Sequence, residues 1–163
     1  HLREDRRHIR AADVLLLRKI VNTRLNLEMS AASGTVAAAS KIKPDQATLV
    51  PEKRQELTTE GGLDVAGNIN NISRVIRKLE NAGIEVSLFI DPQKKQIDAA
   101  LKSGAKIIEL HTGKYADAKN KNEEERAFKE IANAVKYGLS KKLVVNAGHG
   151  LNFINTARIA KIQ

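Results

Sequence analysis

A repeated spacing narrows the fold of this chain more than any other feature. "NAGIEVSLFID" and "KSGAKIIELHT" each set a helix-ending glycine, Gly83 or Gly104, two residues ahead of a short apolar run that closes in polar residues. "YGLSKKLVVNAG" has the same layout with a longer spacer after Gly138, and "RLNLEM" and "DQATLVP" supply two earlier runs. Helical periodicity fills the intervals, over 11 to 21, 30 to 42, 68 to 82, 94 to 103 and 122 to 137, with a further segment opening near 151. Strands joined by crossovers of this length pair in parallel. No shift in composition interrupts the pattern, so residues 1–163 read as one α/β domain without an internal linker.

The runs are not uniformly apolar. Asn26 and Glu28 alternate with Leu25, Leu27 and Met29, Glu109 and His111 alternate with Ile108 and Leu110, and Ser87 and Asp91 are in phase with Phe89. A parallel strand covered on both faces would be almost continuously apolar. Alternation instead predicts one face packed on helices and another approaching a solvated cavity. The expected fold is therefore a TIM (β/α)8 barrel rather than an open doubly wound sheet, with the active site at the carboxyl ends of the strands. The runs found here are too few to close eight strands, so the segment is expected to be incomplete.

Composition then limits the partners. The formal charge of +9 favours an anionic ligand. Aromatic residues are only 3% with no tryptophan, which leaves few platforms for stacking bases, and the lysines are mostly scattered. Phosphorylated small molecules are thus expected, with no nucleic acid and no membrane. No run reaches the roughly 20 apolar residues of a membrane span, and residues 1 to 20 do not have the layout of a signal peptide. The absence of cysteine removes thiolate and disulfide chemistry and suits a cytoplasmic location.

Several side chains stand out for chemistry. Glu28 lies within an apolar strand, where burial raises a carboxyl pKa toward the range useful for proton transfer; the alternative is a carboxylate paired with an arginine. Glu109 poses the same choice, and with His111 two positions on it could also contribute to a metal site, although spacing identifies no third or fourth ligand. His149, between two glycines, sits where backbone can turn sharply and approach a ligand, followed by a segment expected to start a helix whose free amides favour an anion. The other reading of His149 is a turn residue. "PEKRQELTTEGG", with Leu63 to Gly67, forms a long polar loop of the kind that acts as a lid, with Gly61 and Gly62 as hinges and Thr58 and Thr59 as hydroxyl donors to phosphate. Arg3 suits a bidentate phosphate contact, while Arg6, Arg7 and Arg10 are expected to pair with Glu4 and Asp5. Neither GxxxxGK[ST] nor GxGxxG occurs.

Together, "HLREDRRHI", "LNLEM", "KPDQATLVPEKRQELTTEGGLDV", "VSLFIDP", "IELHTGKYA" and "VNAGHGLNF" closely resemble the pyridoxine 5′-phosphate synthase family, over essentially the whole chain and in order. The resemblance implies a TIM barrel assembled as a homo-octamer that condenses 1-deoxy-D-xylulose 5-phosphate with 3-amino-2-oxopropyl phosphate. The products would be pyridoxine 5′-phosphate, phosphate and water, with no metal and no organic cofactor. By the same resemblance His1 and Glu28 are proton acceptors, Glu109 stabilises transition-state charge, and His149 is the proton donor. Gly150 contacts the amino-ketone phosphate, and Arg3, His8 and Thr58 bind the deoxyxylulose phosphate. The family's opening strands and its closing Gly-His strand have no counterpart here, so the segment alone is expected neither to close a barrel nor to turn over. Two other readings stand beside this one. A Schiff-base aldolase or other phosphate-binding barrel lyase would need a lysine at a strand's carboxyl end, where only the loop residues Lys53 and Lys114 are available; a basic nucleic-acid-binding module would need more aromatic residues.

Overall fold

Five parallel strands follow one another across a single sheet in the order in which the chain makes them. In this computed structural model, which describes residues 1–52 and 61–162, they are β1 (Asn26–Met29), β2 (Gln46–Leu49), β3 (Glu85–Ile90), β4 (Ile107–His111) and β5 (Val144–Gly148). Between and around them run α1 (Ala11–Ile20), α2 (Ser33–Ile42), α3 (Ile69–Asn81), α4 (Lys94–Ser103), α5 (Gly113–Ala116), α6 (Lys121–Ser140) and α7 (Thr156–Ile159). Because the order never reverses, each crossover steps the same way, and the helices lie side by side: α1 on α2, α2 on α3, α3 on α4, α4 on α6. A doubly wound sheet would reverse its order partway.

Alternation decides which side of each strand meets these helices. Leu27, Met29, Ala47, Leu49, Val86, Leu88, Ile90, Ile108 and Leu110 are buried in one core with Ile72, Val75, Ile76 and Leu79 of α3. Those four follow helical spacing, so one stripe of α3 is apolar. Each fully buried leucine or isoleucine stabilises the fold by about 1.5–3 kcal/mol. The register carries the opposite phase to the other face: Glu28 beside Thr48, Thr48 beside Ser87, Phe89 beside Glu109, and Glu109 beside Asn146.

The chain start joins the sheet as well. The Leu2 amide donates to the Glu28 carbonyl at 2.9 Å, Leu2 bridges Met29 in parallel, and its side chain is buried. Arg7 pairs with Asp5 at 2.8 Å as expected. Arg10 instead begins α1, its amide donating to Asp13, and Arg6 makes no ion pair with Glu4 or Asp5 among the described residues.

Two local expectations differ from the structure. Gly138 does not end its helix: α6 continues to Ser140, and Lys142, at φ +63°, makes the turn into β5. Gly138 is required for close packing, since a Cβ there would stand 2.8 Å from Val145 Cγ2. The segment after Gly150 is not helical until Thr156, because Asn152 and Asn155 hold residues 152–155 in side-chain-to-backbone turns. Beside the loop, Gly62 is closely packed. Its amide donates to Asp91, a Cβ on it would collide with the Ile90–Asp91 backbone, and Gln96 and Asp64 tie residues 64 to 67 down.

Candidate active site

The polar face gains its functional groups at the carboxyl ends of β1, β4 and β5. At β1, anchoring of Leu2 carries His1 over Glu28, with Nδ1 3.6 Å from Oε2. His1 is largely covered while Glu28 remains half-exposed. On β4, Glu109 is half-buried, and burial foremost, then the negative charge of Glu28, pushes its carboxyl pKa up. Two carboxyl groups from strands at different positions in the sheet therefore act on one another across the same face. Gly148 of β5 lies so close under Glu109 that a Cβ there would overlap Glu109 Oε1.

β5 delivers His149 directly above this pair of strands. The backbone of His149 itself, as well as that of Gly150, is left-handed, at φ +81° and +76°. For an imidazole-bearing residue that conformation costs about 1–2 kcal/mol, and the neighbouring contacts hold it. The Thr112 amide donates to the Gly148 carbonyl at 2.9 Å, and its hydroxyl lies 2.6 Å from the carbonyls of both Gly148 and His149. The His149 ring is exposed to the polar face and lies against His111 and Phe89, with centroid separations of 4.9 and 6.1 Å.

His111 is buried. Its Nδ1 is 3.3 Å from Asp91 Oδ1, so it engages an aspartate of the neighbouring strand end rather than forming a ligand set with Glu109. The hydrogen bond to His111, reinforced by the Gly62 amide at 3.0 Å, holds the Asp91 carboxyl below the usual aspartate range despite its burial. Ser87 Oγ, His1 Nε2 and His111 Nε2 are buried with no hydrogen-bond partner among the described residues. Unpaired buried polar atoms are costly and rare, and Arg6 and Glu52 each carry another, so these atoms make the polar face a candidate site.

Of the residues singled out in the sequence, His1, Glu28, Glu109 and His149 come to this face. Gly150 follows His149, packed so tightly that a Cβ would stand 2.6 Å from Ala116 Cβ. The helix N-terminus expected beside it is absent from that position, since α7 begins only at Thr156. Arg3 is half-buried near the chain start and His8 is exposed; neither side chain makes a hydrogen bond among the described residues. Thr58 lies outside the described residues, together with Thr59 and Lys53. Sequence reasoning noted Asp91 only for its phase and passed over Thr112. Asp91 was in phase with the polar face, but its partner on the next strand becomes visible only through register.

A parallel α/β sheet with carboxyl groups and imidazoles at the carboxyl ends of its strands has the makings of an acid–base enzyme site. Comparison with known proteins narrows the class. The family model described as pyridoxal phosphate biosynthesis protein PdxJ matches residues 1–163, and the chain belongs to that family. It is 52% identical over 162 residues to a pyridoxine 5′-phosphate synthase of Geobacter metallireducens, covering 99% of this chain and 68% of that protein. A synthase of the same name from Coxiella burnetii is 54% identical with the same coverage, and one from Aliivibrio fischeri is 52% identical, with 67% of that protein covered. The chain thus spans about two thirds of the length of these relatives.

Proposed function

We propose that this chain acts as a pyridoxine 5′-phosphate synthase, condensing 1-deoxy-D-xylulose 5-phosphate with 3-amino-2-oxopropyl phosphate to pyridoxine 5′-phosphate, phosphate and water. The observation that carries this reading is the meeting of His1, Glu28, Glu109 and His149 on one polar sheet face. Amine attack on a ketone, loss of phosphate and water, and closure of an aromatic ring all need protons taken and returned at one place. His1 and Glu28, 3.6 Å apart, share the task of removing protons from carbon and oxygen centres. Glu109, whose carboxyl binds its proton more tightly than usual, balances charge as it develops during condensation. His149 protonates the departing oxygens from its exposed position beyond β5.

Arg3, His8 and Thr58 hold the deoxyxylulose phosphate, and Gly150 admits the amino-ketone phosphate against backbone. Neither a metal nor an organic cofactor takes part. Residues 1–163 form a single domain, the sequential parallel sheet being an arc of a TIM (β/α)8 barrel wall whose polar side faces inward. The protein works in the cytoplasm as a homo-octamer.

The test is direct. Intact protein of native length, mixed with both phosphates, is expected to release phosphate and form pyridoxine 5′-phosphate, identified by its ultraviolet absorbance and mass. Glu28→Gln is expected to cut turnover by roughly 100-fold or more. Near-normal turnover in that variant would remove Glu28 from the mechanism, and no product from the native protein would end the reading as a whole.

A further inference from the structure

Beneath the proton donor lies a pair of side chains to which the mechanism above gives no task. Asp91, one residue past β3, and His111, the last residue of β4, meet at 3.3 Å, Oδ1 to Nδ1. The same carboxylate oxygen accepts the Gly62 amide, so Asp91 is held from two sides. The Asp91 carboxylate faces Nδ1 of the His111 ring and so turns the opposite nitrogen, Nε2, away from itself. That Nε2 is buried and has no hydrogen-bond partner among the described residues.

What lies beside it is His149. A Cβ built on Gly113 would stand 2.8 Å from His111 Nε2 and 3.4 Å from His149 Cδ2, so both rings border the same small space above α5. The imidazoles are tilted by 49° at a centroid distance of 4.9 Å. Phe89 closes the arrangement, edge-on to His111 at 5.1 Å and tilted against His149 at 6.1 Å. Thr112 clamps the strained backbone of His149, but its bonds reach carbonyl oxygens and leave the orientation of the imidazole to its ring neighbours.

We propose that Asp91 and His111 form a positioning pair for His149: Asp91 locks His111, and His111 with Phe89 aims the His149 imidazole and steadies it when it carries charge. The inference rests on the reading of His149 as proton donor. His111 is itself covered, so it acts through His149 and does not touch substrate. A carboxylate behind an imidazole fixes the orientation of the ring, the same arrangement by which carboxylate–histidine pairs orient ligands in metal sites.

The test uses the intact protein of native length and His111→Phe, which keeps the ring volume and removes both nitrogens. The expected result is a fall in kcat of about 10–100-fold with KM for each phosphate within about threefold of native. His111→Gln, which can still bond Asp91, recovers part of the loss. In a His149→Ala background, His111→Phe costs no more than about twofold, because the residue through which it acts is gone. Imidazole 15N spectra supply a readout independent of turnover: His149 is expected to hold one tautomer in the native protein and to average between tautomers in His111→Gln and Asp91→Asn. Native kcat in folded His111→Phe, an equal loss with and without His149, or an unchanged His149 spectrum in both of the milder variants overturns the proposal. If the native protein makes no pyridoxine 5′-phosphate, the functional reading fails by itself, and the His149 spectra still judge the pair.

Discussion

Adding one methyl group at Gly148 isolates the position of Glu109 from its chemistry. The backbone of Gly148 is not left-handed, so alanine is sterically allowed along β5, and replacing glycine gains about 0.4–1 kcal/mol by restricting the unfolded chain. The new Cβ, however, would overlap Glu109 Oε1 and stand 3.1 Å from its carboxyl carbon. Ordinary contact between such atoms begins near 3.5 Å, so the carboxylate must retreat by about 1 Å. It can do so by rotating a flexible side chain, which makes the structural cost small. A displacement of that size at a reacting centre costs on the order of 100-fold in rate. Gly148→Ala is therefore expected to lose one to two orders of magnitude in kcat while its melting temperature stays within a few degrees of native. Steady-state kinetics and thermal unfolding measured on the same preparation test this. A second arm compares Glu109→Ala with the Glu109→Ala/Gly148→Ala double variant, which should be equally slow. Native kcat in Gly148→Ala, or a further loss from Gly148→Ala once Glu109 is gone, would refute the argument that the glycine exists to seat this carboxylate.

Two further outcomes follow from the site. Burial and the charge of Glu28 raise the folded-state pKa of Glu109, so the folded protein holds this proton more tightly than the unfolded chain does. Its ionisation therefore lowers stability as pH rises from the usual glutamate range through the raised pKa. Glu109→Gln is accordingly expected to raise the unfolding free energy at neutral pH, with the gain vanishing below the usual glutamate range, as urea titrations at several pH values would reveal; a pH-independent difference contradicts the assignment. Removing the hydroxyl clamp with Thr112→Val leaves the Gly148 and His149 carbonyls without that donor and is expected to cost about 1–2 kcal/mol in urea unfolding. The same variant should slow turnover by releasing the turn that presents His149, and unchanged stability together with unchanged kcat would show that the clamp is idle.

Much of this site was legible because the information is local. A carboxylate inside an apolar strand, as at Glu28 and Glu109, breaks a pattern that can be seen without knowing the partner strand. The same holds for Gly83 and Gly104, whose left-handed backbones end α3 and α4 as the spacing implied. Gly138 misled for the opposite reason: a glycine that ends a helix and one that lets a helix approach a strand look alike until Val145 is placed against it. The helix expected after Gly150 failed on side-chain competition, since Asn152 and Asn155 capture backbone groups that a helix would otherwise use. His111 was noticed, but its nearest sequence neighbour of interest was Glu109, whereas its partner is Asp91, separated by the whole of α4.

By itself the sequence determined the alternation of parallel strands and helices, the division of each strand into an apolar and a polar side, and the identity of the groups able to carry protons. These depend on periodicity and residue chemistry, which survive in a linear string. Only tertiary structure decided which of those groups meet. Register between neighbouring strands places Glu109 beside Asn146 and brings Asp91 level with His111, and the pairing of Leu2 with Met29 lays His1 over Glu28. Register is set by the packing of the entire sheet against its helices, since a slip by one residue would turn every polar group into the core; no single segment contains that energy, and so no single segment could disclose it.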